Sequence, residues 1–364
     1  MTPQEILDLI QLARLVELRY GLDRYETEAI KPLMKAVTQA QTEIMNHIEA
    51  KARNLSEWSE DRSLALLDEL SDLSLGIRHK MAGDISEISA QAGAHSYLIH
   101  NDVLSFGQRV LGFNNVALTA TQIQQLVSTV PVGGKLLSEW VDSTFEYQLK
   151  TQIQQEITAG MLRGQGYPGL ARRLGEGFDL TRQDAISLTR TYVASVNVGA
   201  QEAVMRANKD VVRGWKWCAA LEPGFSKTGR GTCLRCAALD GQVFQDNDPA
   251  RPEIPLHVRC RCMWLAETVT WKSLGVNIDE IESAYRPYTI RPDKNIGVGG
   301  TRTIEEVGFH HGDYSTWYET RDKSFQVNAV GPGRYELLKS GQVEFKDLVG
   351  PKGKLRTLKE LEAL

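Results

Sequence analysis

The residues in this chain with the clearest chemical potential are four cysteines and a histidine within thirty positions. Cys233 and Cys236 form a C-x2-C pair, and His257, Cys260 and Cys262 follow as H-x2-C-x-C. Thiolate and imidazole are ligands that Zn²⁺ prefers, and structural zinc sites take four of them. We expect four of these five residues as ligands: Cys233, Cys236 and Cys260, with either His257 or Cys262. The pattern therefore predicts a Zn²⁺ site.

A zinc site with four protein ligands has no open position, so a structural role is expected rather than a catalytic one. Such an ion could contribute on the order of 10 kcal/mol of folding free energy, and the β-rich segment around it is expected to have little core of its own. The alternative is a set of buried, reduced cysteines without metal, which is the usual state of an isolated cysteine. Cys218, outside the motif, is expected to be such a core residue.

Size and charge restrict the class of protein. A chain of 364 residues can hold two or three domains, and its net charge of -4 predicts no general attraction to nucleic acid. No run approaches the roughly 20 apolar residues of a membrane helix. The first residues lack the basic and apolar segments of a signal peptide. We therefore expect a cytoplasmic start and reduced thiols, which favour metal binding over disulfides.

The elements that must position the cysteines follow from hydrophobic periodicity. Residues 1 to about 208 read as helical, with one helix starting near residue 3, a separate one from Tyr25 to Ala52 and a long one from near Ser56. A short helix over 170–174 is expected to be distinct from a helix capped at Thr181. Alternating patterns predict strands over 211–220 and 258–266, on either side of the cysteines, with Trp215 and Trp217 on one face.

These elements predict an α+β fold in five segments. A helical N-terminal body covers 1–130, a second helical region covers 131–208, and a cysteine-rich β-module covers 209–270. A stretch rich in glycine, proline and asparagine suggests linker and loops over 271–315, and a tail of short helices covers 316–364.

The cysteine segment resembles a known family. C-x2-C-x2-L-D-G-x-V-F from Cys233 to Phe244, followed by H-x2-C-R-C from His257 to Cys262, is similar to the phage Mu F-like minor head, or head morphogenesis, proteins of tailed bacteriophages. The likeness extends upstream through the Thr189-Arg190-Thr191 helix and covers roughly residues 150–265. One departure is Tyr192, where the family often has Glu, so a role for that carboxylate does not carry over.

The resemblance implies a non-enzymatic virion protein in the capsid interior or at the portal vertex, present in the host cytoplasm during assembly. It would assist head assembly and DNA packaging or delivery. The implied partners are the portal protein, the major capsid or scaffolding protein, and packaged double-stranded DNA, without a membrane span.

Three arginines make the cysteine module locally basic, and two further functions stay open. Arg235, Arg259 and Arg261 are candidates for contact with DNA phosphates or with an acidic partner surface, although they could equally serve the fold. The alternative functions are a zinc-module nucleic-acid-binding protein in the host cytoplasm and a zinc-dependent hydrolase. The acidic N-terminal half argues against the first. The chain lacks H-E-x2-H and the zinc deaminase signature, which argues against the second.

Overall fold

The fold combines long helices with two small antiparallel sheets and is α+β, as predicted. A computed structural model describes residues 3–51, 60–111, 167–222, 231–258, 260–268, 285–292 and 304–364, together with scattered positions between 119 and 159. Arg259 and the predicted boundary at 130/131 lie outside the described residues.

Three long helices form the helical body: α1 (Pro3–Lys51), α2 (Glu60–Leu111) and α3 (Tyr167–Ala207). Each of them packs against the other two. The helix pair α1 and α2 comes close at Gly21, where an added Cβ atom would clash with Nε2 of His95. None of the helices in the described part of the chain combines the length and apolar character needed to span a bilayer.

Two predicted helix breaks are wrong. Helix α1 continues through Tyr25 and Pro32, and α3 continues through Thr181. In α1 the buried stripe, which includes Leu22, Ala29 and Leu33, runs unbroken past the expected boundary. Most of the stability of a helix in a protein comes from packing of its apolar face against other elements. This contribution outweighs local capping residues or glycines that would favour a helix end. These local signals therefore misplaced the helix ends.

The first sheet carries the cysteine segment. Strand β1 (Val212–Cys218) lies between β2 (Val243–Phe244) and β3 (Met263–Thr268), and both pairings are antiparallel. Trp217 is opposite Trp264, and Trp215 is opposite Phe244. The rings of Trp215, Trp217 and Phe244 all make edge contacts with Trp264, so the predicted common face of the two tryptophans on β1 is confirmed.

The second sheet lies in a segment that the sequence assigned to linker and loops. Strands β4 (Tyr285–Pro292) and β5 (Ile304–His311) pair antiparallel, and Tyr288 forms a parallel bridge with Leu221 just after β1. Arg286, Pro287 and Pro292 therefore lie in a strand, although proline suggested a linker. Backbone pairing with β5 and contacts between β4 and helix α1 stabilise this strand.

The C-terminal tail shares the core of the cysteine module. Its helices are α5 (Tyr314–Glu319), α6 (Lys323–Val330), α7 (Pro332–Lys339) and α8 (Leu358–Glu362), with 3-10 turns at Phe345–Leu348 and Pro351–Gly353. Trp317 and Leu348 are completely buried in the same cluster as Trp217 and Trp264. The β-segment therefore shares its core with other parts of the chain, which agrees with the expectation that it has little core of its own.

Candidate metal centre

The C-x2-C pair lies at the start of a short helix. Cys233 is the N-cap of α4 (Leu234–Leu239), and its sulfur accepts a hydrogen bond from the Cys236 backbone N–H at 3.5 Å. Side-chain acceptors are favoured at this position because the first N–H groups of a helix have no partner within it. The helix ends at a turn in which Gly241 has a φ of 79° and donates its N–H to the Trp217 carbonyl. The turn thus attaches the helix to β1.

The second half of the motif immediately precedes β3. The Cys260 N–H donates to the His257 carbonyl at 3.0 Å, which closes a turn. The regular strand begins only at Met263, so the predicted strand start at residue 258 is wrong. Because β1 pairs with β3 and also bonds to the turn after α4, one strand holds both halves of the motif.

Five ligand atoms meet at this place. Nε2 of His257 lies 3.2 Å from Sγ of Cys233 and 3.2 Å from Sγ of Cys236, and the Cys236 and Cys260 sulfurs are 3.9 Å apart. The residues form two triads that share Cys236: one with Cys233 and His257, the other with Cys260 and Cys262. Within each triad all ligand atoms lie within 4.8 Å of one another. Both sequence segments therefore supply donors to one centre.

The separations suit a tetrahedral ion. With Zn–S about 2.3 Å and Zn–N about 2.0 Å, the edges of a tetrahedron are about 3.8 Å between sulfurs and about 3.5 Å between sulfur and nitrogen. The observed 3.9 Å and 3.2 Å are close to these lengths. Cys236, Cys260 and Cys262 are buried, whereas Cys233 and His257 are partly exposed. The donor set and its spacing could therefore bind a metal ion.

The orientation of His257 also fits a ligand. Its Nδ1 lies 2.8 Å from the Val258 carbonyl oxygen, an acceptor that requires a proton on Nδ1. In the neutral ring this leaves the lone pair on Nε2, the atom that faces the sulfurs. Metal-binding histidines commonly have their other ring nitrogen bonded to a carbonyl or carboxylate in this way.

Protons are shared unevenly among the donors of the cluster. A hydrogen bond with the Cys236 side chain and, after it, the nearby His257 lower the pKa of Cys233 to about 4. Hydrogen bonds with Cys233 and then with Cys260 raise the pKa of His257 to about 11. The pKa of Cys260 is lowered, chiefly by its hydrogen bond with Cys236. Burial raises the pKa of Cys262. Two cysteines thus readily become thiolates, the form that binds metal.

The five candidate ligands lie within a stretch of the chain that matches a known protein family. Residues 151–265 match the family model described as Phage Mu protein F like protein. The resemblance inferred from the motif is thereby confirmed for this stretch, here called the Mu F-like region. The family suggests a role in phage head morphogenesis and a location in the virion. Searches of curated proteins and of solved structures each gave no match.

Two of the three candidate arginines in the Mu F-like region make contacts within the chain. Nε of Arg235 donates to the Gly353 carbonyl at 2.7 Å, which ties α4 to the C-terminal tail. Arg261 lies beside Glu26 of helix α1 and Glu222. Contact of Arg235, Arg259 or Arg261 with phosphates or a partner stays a prediction. Cys218 is buried against Leu18, Ile99 and Met263 and belongs to neither ligand triad, as expected for a core residue.

The sequence reading missed the role of Asp240, which belongs to the L-D-G motif. Its carboxylate accepts the N–H of Ala219 and the N–H of Tyr314, both at 2.6 Å, and pairs with Arg286 at 2.5 Å. Arg286 also donates to the Ala219 carbonyl. Asp240 therefore links the end of β1 to β4 and α5, both outside the Mu F-like region. The sequence shows that the motif contains an acidic residue. It does not show the partners of Asp240, because they are at least 20 positions away along the chain.

Proposed function

We propose that this chain is a minor head protein located at the portal vertex of a tailed phage, where it assists head assembly and DNA packaging or delivery. Its proposed partners are the portal protein, the major capsid or scaffolding protein and packaged double-stranded DNA. The match of residues 151–265 to the Mu F-like family supports the phage-head part of this proposal. The portal location and the partners are extensions of that family relationship.

The proposed part played by the cysteines is structural. The sequence predicted Cys233, Cys236 and Cys260 as ligands, with His257 or Cys262 as the fourth. Because Nε2 of His257 faces the sulfurs, we propose instead that Zn²⁺ would be bound by Cys236, Cys260 and His257, with Cys233 or Cys262 as the fourth ligand. The observation that carries this proposal is the convergence of five soft or imidazole donors on Cys236, with separations close to tetrahedral edges. The ion would hold α4 and the segment before β3 together. The tail and the tryptophan core would then present a rigid surface to other head proteins.

Metal analysis tests the zinc site. The purified full chain is expected to contain about one zinc per molecule, and Cys260→Ser is expected to lose it. Cys218→Ser is the matched control, because Cys218 is also buried but lies in a separate apolar cluster. Wild-type protein without zinc after growth in zinc-supplemented medium would refute the metal assignment.

Two further variants identify the fourth ligand. Replacement of Zn²⁺ by Co²⁺ gives an absorption spectrum that depends on the number of thiolate ligands. If Cys233 is the ligand, Cys233→Ser should change the cobalt spectrum and Cys262→Ser should not. The reverse result would assign Cys262.

Localised cryo-electron microscopy reconstruction of heads that contain the chain tests the proposed location. Density for the long helices at the portal vertex is expected. A distribution over the whole capsid shell would refute the portal assignment while leaving the family relationship intact.

A further inference from the structure

A buried cluster of charges lies between the metal centre and the long helices. Arg261, the residue between the last two cysteines, places Nη2 at 3.3 Å from Oε2 of Glu26 on helix α1. Arg190 of α3 approaches the same carboxylate oxygen at 3.8 Å, and Nη1 of Arg261 is 3.8 Å from Oε1 of Glu222. Arg261 therefore bridges the cysteine module and the helical body.

The cluster is largely shielded from water. The Glu26 side chain is 4% exposed, that of Glu222 is 9% exposed and that of Arg261 is 14% exposed. A carboxylate removed from water is costly unless a cation compensates it. Close packing of α1 in this region, where Leu22 and Ala29 are also buried, is therefore supported by the Arg261 guanidinium, the closer of the two cations at Glu26.

The placement of Arg261 depends in turn on the metal centre. Both of its neighbours in sequence, Cys260 and Cys262, are candidate ligands, and this segment precedes the regular part of β3. A bound ion restricts the backbone on at least one side of Arg261 and so limits the directions in which its side chain can point.

We propose that metal binding by the cysteine module is coupled to docking of helix α1, with Arg261 and Glu26 as the connecting pair. This inference rests on the zinc site proposed above and adds a regulatory property to it. When the module binds zinc, the long N-terminal helices are held against it. When zinc is lost, Glu26 still has Arg190 nearby but loses the closer guanidinium of Arg261, and the contact between α1 and the module loosens.

Because coupling between two sites is reciprocal, the proposal makes a prediction about zinc affinity. Glu26 is 235 positions from Arg261 in sequence and carries none of the candidate ligand atoms. Glu26→Gln should nevertheless weaken zinc binding, by between about 5-fold and 150-fold, the usual range of such coupling. Glu17→Gln is the matched control, because Glu17 is on the same helix and pairs with Arg14 but is 44% exposed.

The experiment measures zinc affinity of the full-length chain by competition with a chromophoric chelator. Hydrogen exchange is then recorded with and without zinc. In wild-type protein and in Glu17→Gln, zinc should slow exchange in residues 22–37 of α1 as well as in the module. In Glu26→Gln, zinc should slow exchange in the module alone. If Glu26→Gln folds poorly, Arg261→Lys is used instead. It keeps the positive charge, so it should weaken zinc binding by a smaller factor than Glu26→Gln.

Equal zinc affinities for Glu26→Gln and Glu17→Gln would overturn the coupling. Zinc-dependent exchange in α1 that persists unchanged in Glu26→Gln would overturn it as well. Failure of the wild-type chain to bind zinc would also overturn it. That outcome is distinguished from a lack of coupling by the zinc content of the wild-type protein, which would then be near zero.

Discussion

The buried Asp240–Arg286 pair offers a direct test of how the cysteine module is joined to the rest of the chain. Asp240→Asn keeps the shape of the side chain but removes its charge. The side chains of Asp240 and Arg286 are 1% and 10% exposed, so the guanidinium would remain in the interior without its anion. Breaking a buried pair from one side costs about 3–5 kcal/mol. Since asparagine can still accept a backbone N–H, we expect the lower end, about 3 kcal/mol.

For a cooperative unit of 150–250 residues, a loss of this size lowers the melting temperature by roughly 6–12 °C. Differential scanning calorimetry measures the change, and tryptophan fluorescence follows the same core because Trp217, Trp264 and Trp317 all lie in it. The control is Asp246→Asn, since Asp246 is paired with Arg206 but is 49% exposed. Removal of such a surface pair should change stability by less than about 1 kcal/mol.

Zinc content should stay at the wild-type level in Asp240→Asn, because Asp240 is not among the candidate ligands. This separates loss of the ion pair from loss of metal. If Asp240→Asn and Asp246→Asn melted at the same temperature, the buried pair would contribute nothing measurable and the linking role of the L-D-G motif would be refuted.

Three further predictions concern packing and pH. Gly21→Ala should lower the free energy of unfolding by about 1–3 kcal/mol through the clash with His95. The control is Gly83→Ala, where no atom lies within 4 Å of the new Cβ. In urea unfolding this control should be at least as stable as the wild-type chain. Burial lowers the pKa of His100 below its usual 6.5. The unfolded state therefore binds more protons, and stability should decrease as pH falls below about 6.5. His100→Asn should weaken that decrease, and an unchanged pH profile would contradict this. Trp264→Ala should cost about 3–5 kcal/mol because Trp264 is fully buried, and a calorimetric loss below 1 kcal/mol would argue against its central packing role.

The candidate metal ligands and the central strand could be read from the sequence because their signals are local. Cys233 and Cys236 are three positions apart, so a single turn brings their sulfurs to one side whatever the rest of the chain does. The alternation around Trp215 and Trp217 likewise predicts a strand and its apolar face, because side chains in a strand alternate with a period of two. Residue type and spacing were sufficient for these features.

The contacts that attach the module to its surroundings were decided by tertiary structure. The pairs Arg261–Glu26 and Asp240–Arg286 join residues 235 and 46 positions apart. Their charges are ordinary in sequence and become specific only when helices and strands exclude water around them. The same holds for Trp317, whose burial depends on docking of the tail. Local spacing thus determines which groups can bind an ion, and packing of distant elements determines which charges are paired and which surfaces remain exposed.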